Sequence, residues 1–240
     1  MRRIIDELKR NGYNATEKKV FKNGVERNAL LVDINGNISA TFYEEQLKDM
    51  TVGDIISAVK NNKPCDMNVD EVFSAENVMK NIRIGLQRRS DEKIVKRDFH
   101  GYDKYLYLIV NIDNADGMST TKITHDIISR IGMHLDVVWK VAEDNTYNEM
   151  EINDFIMIKY ATNKSKVKGA GVIATKRGIA DVRNALGSKK VLVIPSSIHE
   201  VIIMPYDNTI DLDDIRKMIR EVNETQVAEN DILGYEPIIL

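Results

Sequence analysis

Apolar and polar positions alternate along this chain with two different periods. Ile4, Ile5 and Leu8 share one face of a short helix over residues 2–11, which Asn11-Gly12 ends. A β-meander follows. Lys18–Phe21 runs into Asn23-Gly24, a strong hairpin signal, then Val25–Ile34, Asn35-Gly36-Asn37 and Ile38–Phe42. Tyr43–Met50 reads as helical. Thr51 and Asp54 form a capping box for a helix through Lys60, with Val52, Ile55, Ile56 and Val59 as its buried stripe. Residues 61–70 read as loop. A strand is expected within Val78–Leu86, and Arg88–Lys96 is charged and has no period.

Tyr105–Ile112 reads as a buried strand because seven of its eight residues are apolar or aromatic. Asn114–Gly117 is expected to turn the chain so that Met118–Ile123 pairs back. Thr124 caps a short helix that buries Ile127, Ile128 and Ile131, and Gly132 stops it. A second helix, Leu135–Glu143, places Leu135, Val138, Trp139 and Ala142 on one side. Phe155–Tyr160 and Gly169–Ala174 read as strands, and Lys164, Lys166 and Lys168 between them read as a solvated basic loop. Lys176–Leu186 reads as a helix capped by Gly187. Lys190–Ile194 and Ile198–Met204 are strands joined by Pro195-Ser196-Ser197. Asp211 caps a helix whose buried face is expected to hold Leu212, Ile215, Met218, Ile219 and Val222. Ile238-Ile239-Leu240 forms an apolar end that needs a surface to dock on.

Strands come in runs and helices intervene irregularly, which predicts an α+β fold with antiparallel or mixed sheets. Its parts are an N-terminal β-meander and a C-terminal β-α-β-β-α unit. The expected organisation is 1–70 as a meander-plus-helices subdomain, 71–97 as a connecting region and 98–240 as an α+β domain.

The chain has 240 residues, 43% of them hydrophobic and 30% charged, which excludes a disordered chain. Its net charge is −3, so no global field draws in nucleic acid. The charge is nevertheless uneven. Residues 1–27 hold eight Lys/Arg against four acids, and residues 205–240 hold nine Asp/Glu against three basic residues. The uneven charge reads first as two solvated faces of opposite sign, with a nucleic-acid-facing N-terminus as the sharper alternative. No apolar run approaches the length of a membrane-spanning helix, so no membrane partner is expected. A single cysteine, Cys65, excludes an internal disulfide framework and suits a cytoplasmic protein.

Candidate chemistry is sparse. The four histidines, His100, His125, His134 and His199, include no i, i+4 pair, so no metal is expected. Gly169 and Gly171 form a G-x-G without the third glycine of a dinucleotide loop, and no P-loop is present, so no cofactor is expected. The helix pair around Gly132 has a helix-turn-helix outline, but its second helix holds only Lys140 for reading bases.

The densest cluster is Ser196-Ser197-Ile198-His199-Glu200. A hydrolase would need Ser197 as nucleophile, His199 as base and Glu200 as orienting acid, with His100 as a further candidate. Neighbours in sequence rarely converge in this way, and no G-x-S-x-G elbow is present. A turn whose hydroxyls satisfy turn amides fits the same residues. Phe99-His100-Gly101-Tyr102-Asp103 likewise suits a structural His100–Asp103 hydrogen bond.

The string Val191–Pro205 with I-P-S-S-I-H-E-V at its centre, the acidic helix after it, and Arg220–Ala228 resemble the C-terminal signature of an uncharacterised bacterial family, domain of unknown function number 5688. Lys22–Val25 leading to Thr41–Tyr43, Thr121–Asn145 with Trp139, and Ile173–Gly187 fit the same pattern. Where that pattern has a Pro-His-Arg-like string, this chain has Phe99-His100-Gly101. The resemblance implies a cytoplasmic bacterial accessory protein associated with mobile elements, and it implies no reaction. The expectation is therefore a non-enzymatic protein that binds a protein or nucleic-acid partner, with the hydrolase as the alternative.

Overall fold

The computed structural model of the protein describes residues 1–34, 39–61, 68–110, 118–155 and 158–240. Expectations for Asn35–Asn37, for Cys65 and its loop at 62–67, and for the Asn114–Gly117 turn lie outside these residues. Contacts divide the chain into two compact units, Met1–Met67 and Asn68–Leu240.

The first unit begins with helix α1 (Arg2–Arg10), followed by strands β1 (Ala15–Lys22), β2 (Val25–Asp33) and β3 (Ser39–Tyr43) and helices α2 (Glu44–Leu47) and α3 (Val52–Asn61). The strands form an antiparallel sheet in the order β1-β2-β3. Asn23 and Gly24 both have positive φ, 49° and 81°, as a tight hairpin that follows the strand twist requires. The Thr51 amide donates to the Asp54 carboxylate at 2.8 Å, and the Asp54 amide donates back to the Thr51 hydroxyl at 3.2 Å. The predicted capping box is therefore formed. Leu8, Leu30, Val32, Phe42, Ile55 and Val59 make the core of this unit.

The second unit holds helices α4 (Val69–Val72) and α5 (Ala75–Asn81), strands β4 (Ile82–Arg88), β5 (Lys96–Phe99), β6 (Tyr102–Val110) and β7 (Ser119–Lys122), and helices α6 (His125–Ile131) and α7 (Leu135–Tyr147). Then come strands β8 (Met150–Phe155) and β9 (Ile158–Asn163), a 3-10 helix over Gly169–Ala174 and helix α8 (Lys176–Leu186). Strands β10 (Val191–Ile194) and β11 (Val201–Pro205), helix α9 (Leu212–Gln226), a short 3-10 turn at Glu229–Asp231 and strand β12 (Ile238–Ile239) complete it. One sheet has the order β4-β6-β5 with β7 also on β6. The other has the order β12-β10-β11-β9-β8, and every pairing is antiparallel. The fold is α+β.

Several local expectations change. Gly169–Ala174 is a fully buried 3-10 helix and not a strand. Strand β11 already occupies the place beside β9, and the two glycines let the segment press against other backbone instead. A Cβ on Gly171 would lie 2.0 Å from the Ile84 carbonyl oxygen. The strand read at Phe155–Tyr160 is the meeting point of two strands, β8 and β9, paired as a hairpin. Residues 75–88, within the segment read as a connection, form α5 and β4, and β4 pairs with β6 from Ile82 to Arg88. The apolar end docks on its own chain. Ile238 and Leu240 are buried, and Val191 and Leu240 exchange two backbone hydrogen bonds of 2.9 Å.

Candidate functional site

The register of β4 against β6 sorts side chains onto two faces. Ile82, Ile84 and Leu86 lie opposite Leu108, Leu106 and Lys104 on one face. Helix α7 belongs to this side: the Thr146 hydroxyl of α7 accepts from the Ile84 amide at 2.8 Å, and Trp139 lies under the Lys104 ammonium, 5.6 Å from ring centre to nitrogen. Burial against that ring lowers the Lys104 pKa, partly offset by Glu143.

The opposite face is polar and aromatic. Arg83, Gly85 and Gln87 of β4 stand across from Tyr107, Tyr105 and Asp103 of β6, with Lys96 beside Tyr105 and Lys122 beside Tyr107. Tyr105, Tyr107 and Gln87 are all at most 1% exposed. Gly85 makes room for the Tyr105 ring, which a Cβ there would meet at 2.6 Å. Burial pushes both tyrosine hydroxyls well above their ordinary pKa and keeps them protonated.

Buried charges are costly unless paired, and three cations on this face have carboxylate partners. Lys96 donates to Asp103 at 2.8 Å, and the amide and hydroxyl of Ser90 each donate to the same carboxylate oxygen at 3.0 Å. Lys122 donates to Glu92 at 2.6 Å and to Gln87 at 2.8 Å. Arg83 donates to Glu149 at 2.6 Å.

The Ser-Ser-Ile-His-Glu string lies in the turn between β10 and β11. The Ser197 hydroxyl accepts from the His199 amide at 3.0 Å and the Glu200 amide at 3.2 Å. The Ser196 hydroxyl donates to the Glu200 carbonyl at 3.2 Å. Both hydroxyls are thus engaged with backbone, as a tight turn demands. The His199 ring bonds a different loop. Its Nδ1 accepts from the Lys168 amide at 3.3 Å and lies 3.1 Å from the Lys166 carbonyl. The other ring nitrogen, Nε2, faces the Asp231 carboxylate at 3.5 Å. The His199 carbonyl accepts from the Thr162 hydroxyl at 2.8 Å, and Gly169 fits against the same carbonyl. Glu200 is exposed.

His100 sits elsewhere, at the tip of the β5–β6 hairpin. Its φ is 49° beside Gly101 at 90°, and its exposed ring stacks edge-on against Phe99. The expected His100–Asp103 bond is replaced, because β6 turns Asp103 inward to Ser90 and Lys96 while the hairpin tip points its histidine to solvent. The string and the hairpin therefore bring together no Ser–His or His–His pair.

The turn instead positions Lys168. Lys164 and Lys166 are exposed, but Lys168 folds inward from the same loop. Its ammonium donates to the Tyr105 hydroxyl at 3.3 Å and lies 5.9 Å and 5.8 Å from the centres of the Tyr105 and Tyr107 rings. This corrects the reading of the loop as wholly solvated. A period-2 reading of Asp103, Tyr105 and Tyr107 against Lys104, Leu106 and Leu108 signals the two-faced strand. Nothing local signals that Lys168 crosses to it.

Among the described residues, no group of three or more His, Cys, Asp or Glu side chains could hold a metal, and no helix is long and apolar enough to cross a membrane. An α+β protein whose second unit builds a charged, tyrosine-lined sheet face is the class that fold and site define. Residues 156–237 match the model of a family of unknown function, DUF5688. The matched stretch contains the I-P-S-S-I-H-E-V string and Ile173–Gly187, whereas Lys22–Tyr43 and Thr121–Asn145 lie outside it. No curated protein and no solved structure matches the chain.

Proposed function

We propose that the chain is a cytoplasmic, non-enzymatic accessory protein that binds a macromolecule, with nucleic acid as the class favoured by its N-terminal unit. The observation that carries this reading is the set of cations on α1. Arg2, Arg3, Lys9 and Arg10 are all exposed, and none joins an ion pair among the described residues. The three arginines, with Asp6, Glu7 and Asn11, line a depression of about 610 Å³. Free surface cations of this kind suit phosphate contacts, which position a protein on nucleic acid without reading sequence. The backbone bonding of Ser196, Ser197 and His199 supports a binding protein over a hydrolase. A single cysteine suits the cytoplasm, and the family resemblance suits a bacterial, mobile-element setting.

The test is fluorescence anisotropy with labelled single- and double-stranded DNA. Four phosphate contacts would weaken duplex binding about 100-fold between 50 and 200 mM salt. Arg2→Glu with Arg3→Glu should remove about half of that logarithmic salt dependence. Absence of binding to either strand form at low salt rejects the nucleic-acid reading. Ester or amide turnover that is lost in Ser197→Ala and His199→Ala would replace it with the hydrolase.

A further inference from the structure

On the polar face of the β4-β6-β5 sheet, each neighbouring cation has its own carboxylate: Lys96 has Asp103, Lys122 has Glu92 and Arg83 has Glu149. Lys168 is the exception. Among the described residues no carboxylate lies within ion-pairing distance of its ammonium, and its one hydrogen-bond partner is the neutral Tyr105 hydroxyl at 3.3 Å. An ammonium has three N–H donors, so two of them have no hydrogen-bond acceptor among the described residues and lie beside the two aromatic rings. Desolvation of an amine without a counter-charge is costly, and burial accordingly lowers its pKa, with Asp231 and Glu92 acting only from a distance.

The backbone here is left-handed, as it is at Lys166 of the same loop, with φ 56°. Lys168 has φ 55°, a left-handed conformation unfavourable for a residue with a Cβ. It is held there by its amide bond to His199 Nδ1 and by Gly169, whose Cβ position is blocked at 2.3 Å by both the His199 carbonyl and the Thr162 hydroxyl. A lysine clamped in place through its own backbone, with no described carboxylate in contact with its ammonium, keeps donors available for a further negative group.

We propose that Lys168 and the Tyr105 hydroxyl form a binding site for one oxyanionic group of a ligand, a carboxylate or a phosphate. The ammonium supplies the charge. The Tyr105 hydroxyl accepts from Lys168 and donates its own proton to the anion, and the two tyrosine rings form an apolar wall. His199 is a positioning residue, acting through the Lys168 backbone. The site lies in the second unit and does not depend on the nucleic-acid reading of α1.

Calorimetric titration of the full chain with inorganic phosphate and with sodium acetate, each against chloride of equal ionic strength, tests the site. One equivalent should bind, and saturation should raise Tm by about 2–4 °C. Response to phosphate alone or to acetate alone identifies the group. Lys168→Met keeps the length of the side chain beside the tyrosine rings and should lose affinity at least tenfold. Tyr105→Phe should lose it several-fold. Absence of binding of either anion to the natural chain overturns the proposal, as does undiminished binding by Lys168→Met. Should that variant not fold, an unchanged affinity in Tyr105→Phe overturns it. Loss of DNA binding in the α1 variants with phosphate or acetate binding intact would separate this site from the proposed function.

Discussion

Gly171 and Gly132 are both glycines for steric reasons, and the reasons differ. A methyl group on Gly171 would overlap the Ile84 carbonyl carbon and oxygen, so backbone must move. Gly171→Ala should cost about 2–4 kcal/mol, read as a fall in Tm or in the urea midpoint. Gly132 has nothing within 4 Å of a Cβ but has φ 65°, so Gly132→Ala should cost only about 1–2 kcal/mol. Equal losses at the two sites would contradict the overlap argument.

Three buried tyrosines set the alkaline limit. Burial raises the Tyr105 and Tyr107 hydroxyls, and it raises Tyr102 to about 12, its hydroxyl donating to the Glu236 carbonyl at 2.7 Å. A group whose folded pKa exceeds its unfolded value near 10 stabilises fully below that value. For Tyr102 this stability is lost between pH 10 and about 12. Its share is about 2–3 kcal/mol. Chemical unfolding at pH 8 and 11 should show a smaller alkaline loss in Tyr102→Phe than in the natural chain. At the residue scale the string at 196–200 was legible as a turn, because serine hydroxyls beside proline have amides to satisfy. The inward path of Lys168 was not, because its partners lie 63 residues away in sequence.

Elements with their own caps were legible in detail. Thr124 accepts from the Ile127 amide, Thr175 from the Gly178 amide and Asp211 from the Asp213 amide, so α6, α8 and α9 start where their sequences say. The far face of α9 was misread. Ile219 is buried, but Met218 and Val222 are about 40% exposed. Periodicity gives the stripe its width, whereas the neighbouring element decides how much of it is covered, and the buried Asn223 takes a place at its centre by donating to the Gly234 carbonyl at 2.8 Å. Strand β12 completes the edge of β10. Deleting residues 238–240 removes the buried Ile238 and Leu240 and opens that edge. Tm should fall by about 10 °C, and light scattering should show association through the exposed strand. An unchanged Tm would mean that the tail does not stabilise the sheet.

At the scale of the molecule, the stretch matching the family model leans on residues outside it. Gly171 rests on Ile84, Lys168 on Tyr105 and Tyr107, and Gly234 on Tyr102. The stretch is therefore part of a larger folding unit. A fragment of residues 68–240 should keep dispersed amide resonances and one cooperative thermal transition, whereas a fragment beginning at residue 156 should have neither. The amino-acid order alone determined the α+β class, the N-terminal hairpin, the helix caps and the turn at 195–200, since each depends on residues within a few positions of one another. Only the tertiary structure decided where the final strand would dock and which lysine of the 164–168 loop would be drawn inside. Those outcomes rest on pairings across tens of residues, where packing and the pairing of buried charge override what any local pattern specifies.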